Sequence, residues 1–170
     1  PSQIFFFNSA SEANDFFHQQ YIKSTVWNTS HDSMYEHTSE IIDSRILSIE
    51  LVNNETGDCT VNVFSEANEK YEQAKLVHFD AAQALGKIDV DVHRLWKCDF
   101  LPVSRPKIYG PNGAAALYVK NPRNLKWPKH QATPNWLSIA GFGRACELIP
   151  FLLEDQKRLK NLKWKMIDFF

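Results

Sequence analysis

The sequence predicts a layered α/β protein, and three observations predict it. Short β-rich runs recur at residues 4–7, 25–28, 45–51, 76–79, 100–103 and 115–119. Several are almost continuously apolar, as in Ile4-Phe5-Phe6-Phe7, which suits strands covered on both faces. Helix-patterned segments lie between them, and strands alternating with helices build a sheet flanked by helical layers. At 170 residues, with 44% hydrophobic and 23% charged residues, the chain has the size and composition of one soluble domain.

Taken in order, the run at 4–7 leads into Ser11-Glu12-Ala13-Asn14, which opens a helical segment reaching Tyr21, with Ser9 or Ser11 as its N-cap. A second helix-compatible segment, residues 64–72, carries Phe64, Ala67 and Tyr71 on one face. Residues 121–130 set Pro122 and Pro128 among basic side chains and read as an exposed connection. From Trp136 the pattern is helical through Ile139 to Ile149 and into Pro150, and a last segment runs from Leu152 to Phe170. Its Lys157-Arg158-Leu159-Lys160 portion is basic and amphipathic in outline, read as a solvated terminal helix packing Leu159, Leu162 and Met166 on the domain.

A formal net charge of −1 creates no general field for nucleic acid. The apolar runs are strand-sized, far short of the ~20 residues of a membrane-spanning helix. No signal-peptide pattern is visible. Cys59, Cys98 and Cys146 are far apart and lack metal-site spacing, so they read as free thiols in a reducing compartment. The expectation is a cytoplasmic protein with no nucleic-acid or membrane partner and no metal.

Two stretches carry chemistry. In Ser104-Arg105-Pro106-Lys107-Ile108-Tyr109-Gly110-Pro111-Asn112-Gly113, one lysine precedes dense turn punctuation. This is a surface turn, or a lysine placed to form a Schiff base with a carbonyl cofactor. Asp80 follows the apolar run Leu76-Val77-His78-Phe79 and so stands at the carboxyl end of a strand, where ligands bind in open α/β sheets. A buried aspartate there needs a cationic partner, because desolvating an unpaired carboxylate is expensive. A protonated pyridine nitrogen is one such partner.

The segment from Asp80-Ala81-Ala82-Gln83 to Lys107-Ile108-Tyr109-Gly110-Pro111 resembles the cofactor site of the class V aminotransferase-like enzymes, the cysteine desulfurases and selenocysteine lyases that use pyridoxal 5′-phosphate. Four further pieces follow the family's order. They are Asn8-Ser9-Ala10-Ser11-Glu12-Ala13-Asn14, Ser30-His31-Asp32-Ser33-Met34, Asn53-Asn54-Glu55-Thr56-Gly57, and Ala132-Thr133-Pro134-Asn135 with the helix after it. The resemblance implies a mostly parallel sheet between helices, like the large domain of fold-type I pyridoxal-phosphate enzymes. It implies that Lys107 forms the Schiff base, Asp80 keeps the pyridine nitrogen protonated, Gln83 bonds the phenolate oxygen and His31 stacks on the ring. Ala10, Ser11 and Ser104 would hold the phosphate, Asn54 would sit near the phenolate oxygen and substrate, and Thr133 would reach the phosphate of a partner subunit in a homodimer. Lys107 and His31 are the catalytic candidates.

By the same resemblance, residues 1–150 form a cofactor-binding large domain reduced by internal deletions, and residues 151–170 a basic helix in place of the family's small domain. His31-Asp32-Ser33 and Thr133-Pro134-Asn135 lean toward a selenocysteine lyase, which cleaves L-selenocysteine to alanine and selenide. The alternatives are a persulfide-forming cysteine desulfurase and a catalytically inactive interaction module. Two departures bear on cofactor binding. Pro106 stands where the family has a phosphate-binding histidine, and Ser9 where it prefers glycine, which matters if that position needs φ > 0. None of the cysteines matches the family's mobile catalytic cysteine. Exposed Trp136, Leu137 and Phe142 are expected to form the dimer surface.

Overall fold

The computed structural model describes residues 3–21, 24–26, 43–60, 74–127 and 133–169; for residues 24–26, 43–45 and 124 the description is of the backbone alone. The expected helix at residues 64–72, and His31 with its flanking motif, lie outside the described residues.

The strands are β1 (Ile4–Phe7), β2 (Ser24–Val26), β3 (Asp43–Glu50), β4 (Leu76–Asp80), β5 (Cys98–Ser104) and β6 (Ala115–Val119). They form one six-stranded sheet in the order β1-β6-β5-β4-β3-β2. Strands β2 to β5 run parallel to their neighbours, while β6 is antiparallel to both β5 and β1. Strand β6 alone is therefore reversed, and the mostly parallel sheet expected from the sequence is present.

Burial explains the near-continuous apolar runs of the inner strands; edge strand β1 is not covered on both faces as expected, Ile4 and Phe6 being 45% and 47% exposed. Leu47, Ile49, Leu51, Val77, Phe79 and Leu101 fill a core on one face, closed by Ala81, Ala84 and Leu95. On the other face, Ala13, Phe16 and Phe17 of helix α1 (Ala10–Gln20) pack against Phe100, Leu117 and Val119. Each fully buried Phe or Leu contributes about 1.5–3 kcal/mol. A third cluster joins Ile108 and Ala116 to Phe142 and Ala145 of helix α2 (Trp136–Glu147).

Ser9, rather than Ser11, is the N-cap of α1, its Oγ accepting from the Glu12 amide at 3.0 Å. The Glu12 carboxylate accepts in turn from the Asn8 backbone amide at 2.7 Å, a variant of the capping box. Ser9 sits at φ −148°, ψ 163°, an extended conformation that serine adopts freely. Its departure from glycine therefore carries no backbone strain.

Helix α3 (Ile149–Phe169) follows α2 with a bend of 54°. It begins before Leu152 because Pro150 falls in the first turn, where a missing N–H breaks no intrahelical bond. The expected packing of its far half is absent. Leu159 and Leu162 are each 44% exposed and Met166 is 63% exposed. Among the described residues of α3, Ile149 and Leu152 reach the Ile108 cluster, and the rest of a helix about 30 Å long extends past it. Phe142 is likewise not an exposed residue. It is buried in that cluster, whereas Trp136 and Leu137 are exposed as expected. No single described helix is long and apolar enough to cross a membrane.

Candidate functional site

Strand polarity alone gathers the candidate residues. Strands β1, β3, β4 and β5 point the same way, so the segments after them emerge at one carboxyl edge. Ala10 and Ser11 follow β1, Asn54 follows β3, Asp80 ends β4 just before Gln83, and Ser104 ends β5 just before Lys107. The Ala81 amide donates to the Pro102 carbonyl at 3.1 Å and ties the β4 exit to β5.

Asp80 is 3% exposed. Its Oδ2 accepts from Asn14 Nδ2 of α1 at 2.7 Å and its Oδ1 from the Ala82 amide at 2.8 Å. The second bond turns the chain toward Gln83, whose Oε1 accepts from Lys87 Nζ at 2.7 Å. The Nε2 amide is thereby left as Gln83's donor end. Burial, and then the positive charge of Lys107, lower the pKa of Lys87.

Lys107 lies in a short 3-10 turn, Pro106–Ile108, and is exposed. The turn is anchored on both sides of it. Ile108 is buried below, and the amides of Ile108 and Gly110 both donate to the Arg105 carbonyl, at 3.0 and 3.2 Å. Arg105 itself is fully buried, its Nη1 donating to the Ser138 carbonyl of α2 at 3.0 Å. Ser138 Oγ donates to the Asn112 carbonyl at 2.8 Å, and Gly141 lies so close to Pro111 that an added Cβ would stand 2.4 Å from its Cγ. Helix α2 thus fixes the loop that carries Lys107, and Pro106 helps by pre-setting φ.

The adjacent asparagines divide their work. Asn53 is buried, its Oδ1 accepting from the Glu55 and Thr56 amides at 2.9 and 2.8 Å, so it builds the turn. Asn54 is presented at the surface of that turn. At the start of α1, Ser9 caps the Glu12 amide, and helix geometry gives the amides of Ala10 and Ser11 no intrahelical acceptor. Ser104 is half-buried. Thr133 is exposed just ahead of Asn135, the N-cap of α2.

Four residues were missed from sequence. Asn14 ends the motif at residues 8–14, and nothing in the sequence gives it a role. Arg105 shows in the sequence only as a charged residue beside a turn, with no signal of burial. Glu50 stood in an apolar run, and that was its only signal. It pairs in register with Asp80, is 5% exposed and accepts from Asn53 Nδ2 at 3.1 Å. Burial, then the Asp80 charge, raise its pKa to about 7. Finally, His78 stacks under Phe17 at 4.3 Å, with Nδ1 at 2.7 Å from Ser48 Oγ. Burial and neighbouring His18 hold its pKa well below the usual histidine range, so it is neutral.

A lysine on a clamped turn, a buried carboxylate at a strand end and the amino end of a helix, all on one edge of a mostly parallel sheet, define an α/β domain of the pyridoxal-phosphate large-domain type. Residues 17–137 match the aminotransferase class-V family, and the chain belongs to that family. It is 36% identical over 139 residues to the cysteine desulfurase IscS of Clostridium botulinum (strain Hall), a match covering 75% of this chain and 34% of that protein. It is 37% identical over 139 residues to the mitochondrial cysteine desulfurase of Arabidopsis thaliana, covering 74% and 30%. Among solved structures, a NifS-like protein superimposes with a TM-score of 0.80 at 24% identity, over 99% of this chain and 59% of that one. SspA in complex with cysteine gives a TM-score of 0.64 at 26% identity, over 86% and 55%. The matched part is about a third of the length of these curated relatives. Enzymes of this family use pyridoxal phosphate.

The donor set fits that cofactor. An amine for the aldehyde, a buried carboxylate held by two N–H donors for the ring nitrogen, and helix-start amides for the phosphate converge on one edge.

Proposed function

We propose that the chain binds pyridoxal 5′-phosphate at this carboxyl edge and belongs to the machinery of a cysteine desulfurase, an enzyme that removes sulfur from L-cysteine. The observation that carries the reading is the convergence of Lys107, Asp80 and the start of α1 through strand polarity. The cysteine desulfurases among its relatives support sulfur chemistry. The selenocysteine preference rests on the sequence motifs around His31 and Thr133, and is the second reading.

In this arrangement Lys107 Nζ would hold the cofactor at its aldehyde and would be the amine that moves a proton at the substrate α carbon. Asp80 holds the proton on the ring nitrogen, with Asn14 and the Ala82 amide fixing its carboxylate. The amides of Ala10 and Ser11 and the Ser104 hydroxyl would hold the phosphate, Gln83 Nε2 would donate to the phenolate oxygen, Asn54 would orient that side of the site and, by the family resemblance, His31 would cover the ring. When bound, the cofactor supplies an electron sink that labilises bonds at the amino acid's α and β carbons. On this reading residues 1–150 would form the cofactor-binding part, helix α3, which starts at Ile149 rather than 151, would stand in place of a small domain, and Thr133 would reach a second subunit's site in a homodimer.

The test is to mix the purified chain with pyridoxal phosphate, reduce with borohydride and locate the added mass. It is expected on Lys107 and absent in Lys107→Ala. An unmodified Lys107, or equal labelling of other lysines, overturns the reading. Alanine release from L-cysteine and from L-selenocysteine then separates the two substrates.

A further inference from the structure

Side by side with Asp80 on the neighbouring strand stands a second buried carboxyl group. Glu50 ends β3 as Asp80 ends β4, and the two are register partners. One pleat earlier the register partners Ser48 and His78 touch, at 2.7 Å, on the face covered by α1. Side chains two residues apart on a strand share a face, so Glu50 and Asp80 lie together on that face. Both are buried, Asn14 donating to one and Asn53 to the other.

We propose that Glu50 acts with Asp80 as a two-carboxyl cradle for the ring nitrogen of the cofactor, and that Glu50 gives up its proton when the ring cation binds. This rests on the pyridoxal-phosphate reading of the site. Two buried carboxyl groups on register-partner residues of one sheet face do not both ionise readily, so one proton stays with the pair. Raised to about 7, Glu50 is the member that keeps it near neutral pH. Among the described residues, the groups acting on Glu50 are Asp80 from β4 and Glu55 from the turn, which favour the protonated form, and the Asn53 amide, which favours the ionised one. Helix α1 contributes Asn14 beside Asp80, and His18 lies farther along the face beside neutral His78. A ring cation reverses the balance, since an opposite charge within a few ångströms favours the carboxylate. Glu50 then loses its O–H proton, to the ring nitrogen where that nitrogen arrives unprotonated and to solvent where it arrives protonated. Neither oxidant nor reductant is involved.

The decisive measurement is the affinity for pyridoxal phosphate of the native chain and of Glu50→Gln between about pH 5 and pH 8. The substitution keeps an oxygen to accept from Asn53 and removes the titration. The two affinities should agree near pH 5 and diverge as pH rises, the native chain becoming tighter by up to about tenfold for each unit by which the ring cation lowers the pKa of Glu50. The divergence should vanish with a benzene analogue of the cofactor that lacks the ring nitrogen. A constant ratio across the range, or the same divergence with the analogue, overturns the role of Glu50 while leaving the cofactor site intact. Failure of both proteins to bind pyridoxal phosphate overturns the site as well.

A second arm needs no cofactor. The folded-state pKa of Glu50 lies above the ordinary 4.5, so its contribution is full below that value and is lost as pH rises through about 7. Denaturant titrations of the cofactor-free native chain should show that loss and those of Glu50→Gln should not. Identical profiles refute the shared proton. Should Glu50→Gln not fold, the native chain compared with the two cofactors gives the same answer, because only the nitrogen-bearing ring should show a pH dependence beyond its own titration.

Discussion

Replacing Arg105 by methionine should stabilise the protein. The guanidinium is fully buried, and among the described residues Nη1 alone of its nitrogens has a hydrogen-bond partner, the Ser138 carbonyl at 3.0 Å. Nε and Nη2 have none. A buried donor left unsatisfied costs about 1–3 kcal/mol, and a hydrogen bond from a charged group returns about 1.5–3 kcal/mol. Two orphan donors against one such bond leave a deficit of about 1–3 kcal/mol, in line with the gains seen when buried charges give way to apolar side chains of similar volume. Methionine is unbranched like arginine and retains the stem atoms that pack on Gly110, where an added Cβ would stand 2.2 Å from Arg105 Cγ. Urea titration of Arg105→Met should show an unchanged slope and a higher midpoint, and Tm should rise by about 2–4 °C per kcal/mol for a chain of this size. Arg105→Ala is the control: it removes the same charge but opens a cavity, and should destabilise by about 2–4 kcal/mol. A methionine variant that loses more than about 1 kcal/mol would show that the guanidinium is satisfied by groups beyond Ser138, and the reasoning from orphan donors would fail.

Three further outcomes follow from the same contacts. Ser9→Ala removes the cap of α1 and should cost about 1 kcal/mol by denaturant titration, with weaker cofactor binding because the first-turn amides lose their fixed direction. Gly141→Ala puts a methyl group 2.4 Å from Pro111 and should cost about 1–3 kcal/mol, together with slower labelling of Lys107, since α2 can no longer seat on the loop. The folded-state pKa of His78 is below its ordinary 6.5, so its contribution is present above that value and is lost as pH falls; His78→Asn should flatten this acid limb in a stability profile.

The sequence by itself determined the order and type of the elements around the site. The runs at residues 4–7, 76–79 and 115–119 appear as strands; for the inner two, near-continuous apolar stretches of strand length have few other ways to be buried, while edge strand β1 leaves Ile4 and Phe6 exposed. Asp80 and Lys107 were placed at strand ends by local punctuation, and strand ends in a mostly parallel sheet meet at one edge. Tertiary structure decided what depended on neighbours distant in the chain. That Glu50 stands beside Asp80 follows from the register of β3 on β4, a relation between segments about 30 residues apart that neither segment carries alone. Of Asn53 and Asn54, adjacent and chemically identical, only the turn's closure could choose which is buried. Arg105 was buried because α2 folds down over Gly110 and Pro111, although its charge argued for the surface. Leu159, Leu162 and Met166 were left exposed for the converse reason. Their spacing makes an apolar stripe in any helix, but burial requires a facing surface, and α3 runs past the cluster that could have provided it.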